Sequence, residues 1–372
     1  MLGSQMPSEP KRILVRSVNW LGDAVMTTPA LMRLRERFPE AEIRIMTPEK
    51  LADLWRYHPA VDSALVFSEQ ESVWKIGRQL RARQFDLALV LPNSPRSALE
   101  MWLGRIPERV GYVAKWRRWW LTRAVPPWPG AVAMRKRSAG EIRRLNRRDL
   151  RRDLRLSPTA HHTNHYLHLV AALGANPAPV APQLNVTDLE LDRTRQKFNL
   201  DPQVRWIGLN AGAEYGPAKR WPADHFIATA LALQQRLKVG WIIFGGGADA
   251  AIARQIEAAL RRGDATVRNL AGQTTLRELC AALQTCRVVL TNDTGPMHVA
   301  AAVGTPVIVP FGSTSLELTG PGLPGDPQHR LLRGEAPCSP CFRRECPIDL
   351  RCLTSITVER VVEELYDVAV GA

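Results

Sequence analysis

Asn292-Asp293-Thr294-Gly295-Pro296 is the stretch of this chain best equipped for chemistry. It is a polar loop between Val288–Thr291, an apolar run rich in β-branched residues that suits a buried parallel strand, and Met297–Val303, whose small and apolar side chains suit a helix lying on a sheet. Gly304 ends that helix and Val307–Pro310 begins another strand. Such a βαβ corner presents backbone N–H groups and the positive end of a helix dipole, which favours phosphate. Thr294 adds a hydroxyl, Gly295 permits close backbone approach, and Asp293 can accept from sugar hydroxyls. The same residues would also serve an ordinary helix start, with Asp or Thr capping its first N–H groups.

Two further loops in the same half carry compatible chemistry. Asn210–Pro222 (NAGAEYGPAKRWP) follows a strand-like run and precedes a helical one. Gly212 and Gly216 free its backbone, and Lys219 and Arg220 supply charge for clamping a phosphate, or simply make an exposed basic turn. Gly245-Gly246-Gly247 resembles a dinucleotide turn without its full spacing, and Asp249 just beyond suits either a ribose hydroxyl or a helix cap. All three loops fall at carboxyl ends of expected strands, so they converge on one crevice, and a nucleoside diphosphate is the simplest ligand that fits. In the first half, the loop Ser17–Asp23 (SVNWLGD) ends on a carboxylate expected at the N-cap of a helix running from Ala24 to about Phe38. That position keeps Asp23 ionised and makes it a weak base, adequate for a sugar hydroxyl that gives up its proton late in a reaction. His298, four residues after Thr294, shares the helix face nearest the loop and reads as a structural neighbour of it. Cys338, Cys341, Cys346 and Cys352 crowd into fifteen residues. The first pair has metal-knuckle spacing, the other gaps are short for a zinc ribbon, and reduced structural cysteines are the plainer alternative.

The elements that must position these groups alternate between strand and helix. Arg12–Arg16, Ile43–Met46, Ala64–Phe67 and Leu87–Leu91 read as strands, and Val73–Ala82 reads as a helix between two of them. The second half restarts the pattern with Trp206–Leu209, Val239–Phe244 and Val267–Leu270. This spacing implies parallel sheets covered on both faces, hence an α/β chain of two doubly wound, Rossmann-like domains facing a central cleft. The expected divisions are a disordered terminus 1–10, an N-terminal domain 11–180 carrying a basic arm 113–155, a C-terminal domain 181–352 with the cysteine tail 338–352, and a final helix 353–372. Residues 174–190, rich in proline, read as the linker.

At 372 residues, with 45% hydrophobic and 23% charged content, the chain is an ordinary globular protein with room for two cores. No run approaches the ~20 apolar residues needed to cross a bilayer. The first residues, MLGSQMPSEPKR, lack an apolar signal core, so a cytoplasmic location is expected. The net charge of +14 is concentrated between Val113 and Arg155, with fourteen Lys/Arg against Glu141, Asp149 and Asp153. Lys115-Trp116-Arg117-Arg118-Trp119-Trp120 and the helix expected over Glu141–Arg155 suit either nucleic acid or an anionic membrane surface.

Five stretches, RSVNWLGDAVMTTPAL, LPNSPRSALEMWLGRIPERVGY, NAGAEYGPAKRWP, NLAGQTTLRELCAAL and TNDTGPMHVAAAVGTPVIVPFGSTS, resemble glycosyltransferase family 9, and the similarity runs from about Arg12 to Leu365. The resemblance implies a GT-B fold, with an N-terminal acceptor domain and a C-terminal donor domain. It implies transfer of L-glycero-D-manno-heptose from ADP-heptose to the inner core of lipopolysaccharide, with inversion and with no required cofactor or metal. Asp23 then matches the general base, Lys219 the donor diphosphate lysine, and Thr294 and Gly295 the phosphate turn. Asp293 matches the acidic residue near the donor heptose and His298 the histidine beside it. Asp249 falls near the ribose contact, with Gly212 and Gly246 also lining the donor. Asn19, Trp20, Asn93 and Ser94 would face the acceptor. The implied acceptor is a phosphorylated glycolipid of the inner leaflet, so the basic arm reads as a peripheral membrane contact and nucleic acid as the lesser partner. The arm is more basic than the family leads one to expect. A nucleotide- or nucleic-acid-binding module without catalysis, or a relative using another nucleotide-sugar, are the competing readings.

Overall fold

The computed structural model describes residues 9–147 and 156–371. Two compact units share them. The first holds the chain up to residue 131 and again 162–180; the second holds 132–147, 156–161 and the chain from 181 onward.

In the first unit, β1 (Arg12–Arg16), α1 (Leu21–Met26), α2 (Thr28–Arg37), β2 (Glu42–Pro48), β3 (Ser63–Phe67), α3 (Val73–Arg81), β4 (Leu87–Val90), α4 (Pro95–Leu103), β5 (Glu108–Tyr112) and β6 (Arg123–Val125) follow in order. α5 (Ala139–Arg147) belongs to the second unit, and α6 (His162–Ala171) returns to the first. The second unit continues with α7 (Asp188–Phe198), β7 (Trp206–Asn210), α8 (Ala223–Gln234), β8 (Gly240–Ile243), α9 (Ala250–Arg262), β9 (Thr266–Asn269), α10 (Leu276–Thr285), β10 (Val288–Thr291), α11 (Gly295–Ala302), β11 (Val307–Phe311), α12 (Leu316–Thr319), β12 (Arg330–Arg333), α13 (Arg351–Thr354) and α14 (Val358–Val370).

Each unit has a six-stranded sheet, in the orders β3-β2-β1-β4-β5-β6 and β9-β8-β7-β10-β11-β12, and every pairing is parallel. Both orders are the doubly wound 3-2-1-4-5-6, which reverses direction between its first and fourth strands. Ligands therefore belong outside the carboxyl ends of β1 and β4 in one unit and of β7 and β10 in the other. β4, β7 and β10 are buried along their whole length, as strands covered on both faces must be. Trp206, Trp221 and Trp241, each at most 1% exposed, fill the second core.

The fold class is the one expected; several boundaries differ. The single helix expected from Ala24 is two helices broken at Thr27. Pro29 has no N–H to give to the Val25 carbonyl, which accepts instead from the Thr28 hydroxyl at 2.8 Å, while the Thr27 hydroxyl bonds Ala24 O at 2.6 Å. Asp23 is not the N-cap. The helix starts at Leu21 with Trp20 as its cap residue, and Asp23 lies in the first turn. The basic arm is divided: its first part, with β6, stays in the first unit, whereas α5 joins the second by burying Ile142 and Leu145 against Cys338 and Cys341. The rest of the helix expected to Arg155, including Arg148, Leu150 and Leu154, lies outside the described residues, as does most of the terminus 1–10. No helix among the described residues is long and apolar enough to cross a membrane.

Candidate active site

At the β7–β10 reversal, two buried asparagines stitch the loops together. Asn210 Nδ2 donates to Thr291 Oγ1 at 2.9 Å. Asn292, fully buried, accepts from the Trp221 N–H at 3.0 Å and donates to Ala211 O at 2.8 Å. The loop after β7, the loop after β10 and the start of α8 are thus one rigid piece. Neither asparagine was singled out from the sequence as more than loop polarity, although amides at the ends of buried strands need partners and so signal such a network.

That piece brings Lys219 and Asp293 together: Lys219 Nζ lies 2.7 Å from Asp293 Oδ2, with the two side chains 13% and 4% exposed. The Thr314 hydroxyl also donates to Asp293. Lys219 Nζ sits 5.0 Å above the Tyr215 ring, whose hydroxyl donates to Phe342 O at 2.9 Å. Gly216, at φ +146°, lets Arg344 O approach where a Cβ would stand 2.6 Å away, and that carbonyl accepts from the Ala218 N–H at 2.9 Å. The segment carrying the cysteine tail therefore braces the lysine loop. Thr314 and Tyr215 were not anticipated, although Thr314 lies in the FGSTS run of the last matching stretch.

Thr294 occupies the N-cap position of α11 in extended conformation, yet its side chain makes no capping bond, so the hydroxyl stands at the helix mouth beside Gly295. His298 is buried on the same helix, one turn further on. Asp249 has a fastening role: its carboxylate accepts from the Gly246 N–H at 3.0 Å and lies 3.7 Å from Arg220. A Cβ on Gly212 would come within 2.3 Å of it. Asp249 thus ties the glycine turn to the Gly212 loop. Together these groups offer a lysine, a helix N-terminus, a free backbone approach and a buried carboxylate, which is the equipment for a diphosphate with a sugar attached.

At the β1–β4 reversal the groups are different. Asn19 and Trp20, both exposed, follow β1 directly, and Asp23 is two residues into α1. Behind them Arg16, 4% exposed, donates to Glu100 at 3.0 Å and to Ser17 O at 2.6 Å, reaches Asn19 Oδ1 at 3.4 Å, and lies 4.2 Å over the Phe67 ring. Glu100 is wholly buried and is held also by Arg96 at 2.9 Å. Asn93 and Ser94 are exposed after β4, and Ser94 caps α4 by accepting from the Ser97 N–H at 3.2 Å. Tyr166 of α6 feels the Asp23 charge, and burial together with that charge raises its pKa well above the usual phenol value.

The four tail cysteines are reduced, Cys338, Cys341 and Cys352 buried and Cys346 half-buried. Burial pushes the Cys352 thiol up to about 12, keeping it protonated. Among the described residues no three His, Cys, Asp or Glu side chains converge as metal ligands.

Comparison with known proteins agrees with this equipment. The sequence profile of glycosyltransferase family 9 (heptosyltransferase) matches residues 73–138 and 129–351. Lipopolysaccharide heptosyltransferase 2 of Escherichia coli K12 is 32% identical over 320 residues, covering 83% of this chain and 85% of that protein. Its namesake from Salmonella typhimurium LT2 is 30% identical over 374 residues, 95% of this chain and 97% of that one. The solved structure of E. coli ADP-heptose LPS heptosyltransferase II is 29% identical, with a TM-score of 0.77 over 97% of this chain and 99% of that one. The chain is a glycosyltransferase and belongs to glycosyltransferase family 9.

Proposed function

We propose that the protein transfers L-glycero-D-manno-heptose from ADP-heptose to the inner core of lipopolysaccharide, with inversion. The observation that carries this reading is the Lys219–Asp293 pair beside the mouth of α11 in a chain so similar to heptosyltransferases 2. Lys219 and the α11 N-terminus take the donor diphosphate; Asp293 is freed from Lys219 as the phosphate arrives and accepts from the sugar hydroxyls. Asn19, Trp20, Asn93 and Ser94 take the acceptor. An acceptor hydroxyl attacks the anomeric carbon, the bond to ADP breaks with its electron pair leaving on the diphosphate, and Asp23 receives the hydroxyl proton.

The location is proposed to be peripheral on the inner leaflet. Support comes from Trp116 and Trp119, 74% and 79% exposed, and from exposed Arg143, Arg144 and Arg147 on α5. Mass spectrometry of heptose-deficient core glycolipid incubated with protein and ADP-heptose tests the reaction. One added heptose per acceptor is expected, with the opposite anomeric configuration to the donor by NMR; an unaltered acceptor refutes the reading.

A further inference from the structure

Arg117 is the electrostatic anomaly of the first unit. It lies in the 3₁₀ turn Lys115–Trp120. Three residues per turn place Trp116 and Trp119 on one outer face and turn Arg117 inward, where it is fully buried. One terminal nitrogen, Nη1, donates to Asn93 Oδ1 at 2.9 Å; Nε and Nη2 have no partner. Gly111 of β5 leaves room for the group, since a Cβ there would stand 2.8 Å from Nη2. Burial lowers its pKa only to about 10, so the guanidinium is charged at neutral pH. Arg16, at the same end of the same sheet, is nearly as deeply buried but has Glu100. Among the described residues Arg117 has no such carboxylate, and an uncompensated buried charge is strongly unfavourable unless something else answers it.

The bond to Asn93 fixes what this charge does. A guanidinium can only donate, so Asn93 must turn its carbonyl oxygen inward. Its side chain is exposed, and with the oxygen turned toward Arg117 the N–H donors face outward. Ser94 follows at the cap of α4, a nine-residue helix whose positive end lies at the same spot. Outward amide N–H donors, helix N-terminus and buried unpaired cation thus act with one sign at the carboxyl end of β4, beside the sheet's reversal. We propose that Asn93, Ser94 and the first turn of α4 form the subsite for an anionic group of the acceptor, a phosphate or a sugar carboxylate, with Arg117 as the positioning residue that aims Asn93 and charges the site. This rests on the acceptor reading above.

Asn93→Asp separates this role from a structural one. It gives Arg117 a carboxylate and replaces outward donors by acceptors. The midpoint of thermal unfolding should rise, while KM for the phosphorylated acceptor glycolipid should rise about tenfold with KM for ADP-heptose unchanged. A fall in the midpoint, or an unchanged acceptor KM, overturns the proposal. Phosphatase-treated and carboxyl-reduced acceptors identify the anion: the treatment that raises the wild-type KM and leaves that of Asn93→Asp unmoved names it, and equal response of both proteins to each treatment counts against the subsite. A readout independent of turnover uses inorganic phosphate with the donor site saturated by ADP. Phosphate should raise the midpoint of the wild type and not of Asn93→Asp; the same response in both proteins, or none in either, sinks the subsite. Wild-type protein that fails to transfer heptose would remove the reading of function, and the phosphate titration would still decide this one.

Discussion

The two reversal points share a topology and solve opposite electrostatic problems. In the second sheet the cation belongs to the loop itself and already has an anion: Lys219 Nζ lies 2.7 Å from Asp293 Oδ2, the pair that the proposed donor diphosphate would open. In the first sheet the cations are behind the surface. Arg16 and Arg117 are buried, and what reaches the crevice is an asparagine on each, Asn19 and Asn93. Direct charge suits a ligand whose own charge is fixed and large. In the proposed reaction, amides backed by charge meet an acceptor that brings both hydroxyls and an anionic group, and the hydroxyl proton goes to Asp23, which a neighbouring lysine would make a weaker base. On the proposed reading, the same fold yields a clamp in one unit and a reaction face in the other.

Breaking the reaction face has the largest expected effect. Asp23→Asn keeps the side-chain shape in the first turn of α1 and forfeits a helix-dipole contribution of about 0.3–1 kcal/mol. Turnover should fall by ~10²-fold or more, the scale of lost general base catalysis. Steady-state kinetics at saturating donor check it; normal turnover would mean that Asp23 only tunes the helix.

The next largest effect belongs to the clamp. Asn292→Ala leaves the Trp221 N–H and the Ala211 carbonyl without their buried partner. A loss of about 2–3 kcal/mol in denaturant unfolding is expected, the cost of orphaned buried groups, together with weaker ADP binding as the lysine loop loses its register. Stability within experimental error of wild type would show that the stitch is not needed.

The smallest effect lies away from both crevices and serves as their control. Arg277 holds Glu190 by two bonds of 2.8 and 2.7 Å, joining α7 to α10. The Arg277 hydrogen bonds lower the Glu190 carboxyl to about 2. Its folded pKa is depressed, so the stabilisation is complete above the ordinary glutamate range and is lost as pH falls from about 4.5 toward 2. Glu190→Gln should cost about 1–2 kcal/mol at neutral pH and flatten that part of the acid-unfolding profile. Activity per folded molecule should not change; a specific loss of turnover would link this edge to the site.

The clamp was more legible than the reaction face. Val288–Thr291, the loop after it and the helix at Gly295 could be located from apolar runs and glycine punctuation, because a strand buried on both faces leaves a continuous signature. Lys219 and Asp293 stand 74 positions apart in sequence, and only the shared topology of their loops suggested that they converge. The reaction face depends on weaker signals. β5 reads Glu-Arg-Val-Gly-Tyr and gives no strand signal, since only its last three residues are buried and its glycine is there to admit Arg117. The expected linker 174–190 reaches only the first residues of α7, and the rest of that helix carries no readable pattern because only Thr194 is buried in it; a capping box from Thr187 and the Arg277 pair hold it instead. Trp20-Leu21-Gly22 carries no capping residue, so the start of α1 was placed too late and Asp23 was misassigned as its cap. The attachment of α5 to the second unit depends on two apolar side chains meeting two cysteines some 200 positions away, which no local pattern records.

Calorimetry of ADP with Asp23→Asn and Lys219→Ala, side by side, tests the division between clamp and reaction face most directly. Asp23→Asn should bind ADP within about twofold of wild type, while Lys219→Ala should bind at least ~10-fold more weakly, the loss expected for a charge-assisted contact. Equal weakening in the two variants, or unchanged binding in a folded Lys219→Ala, would contradict the account.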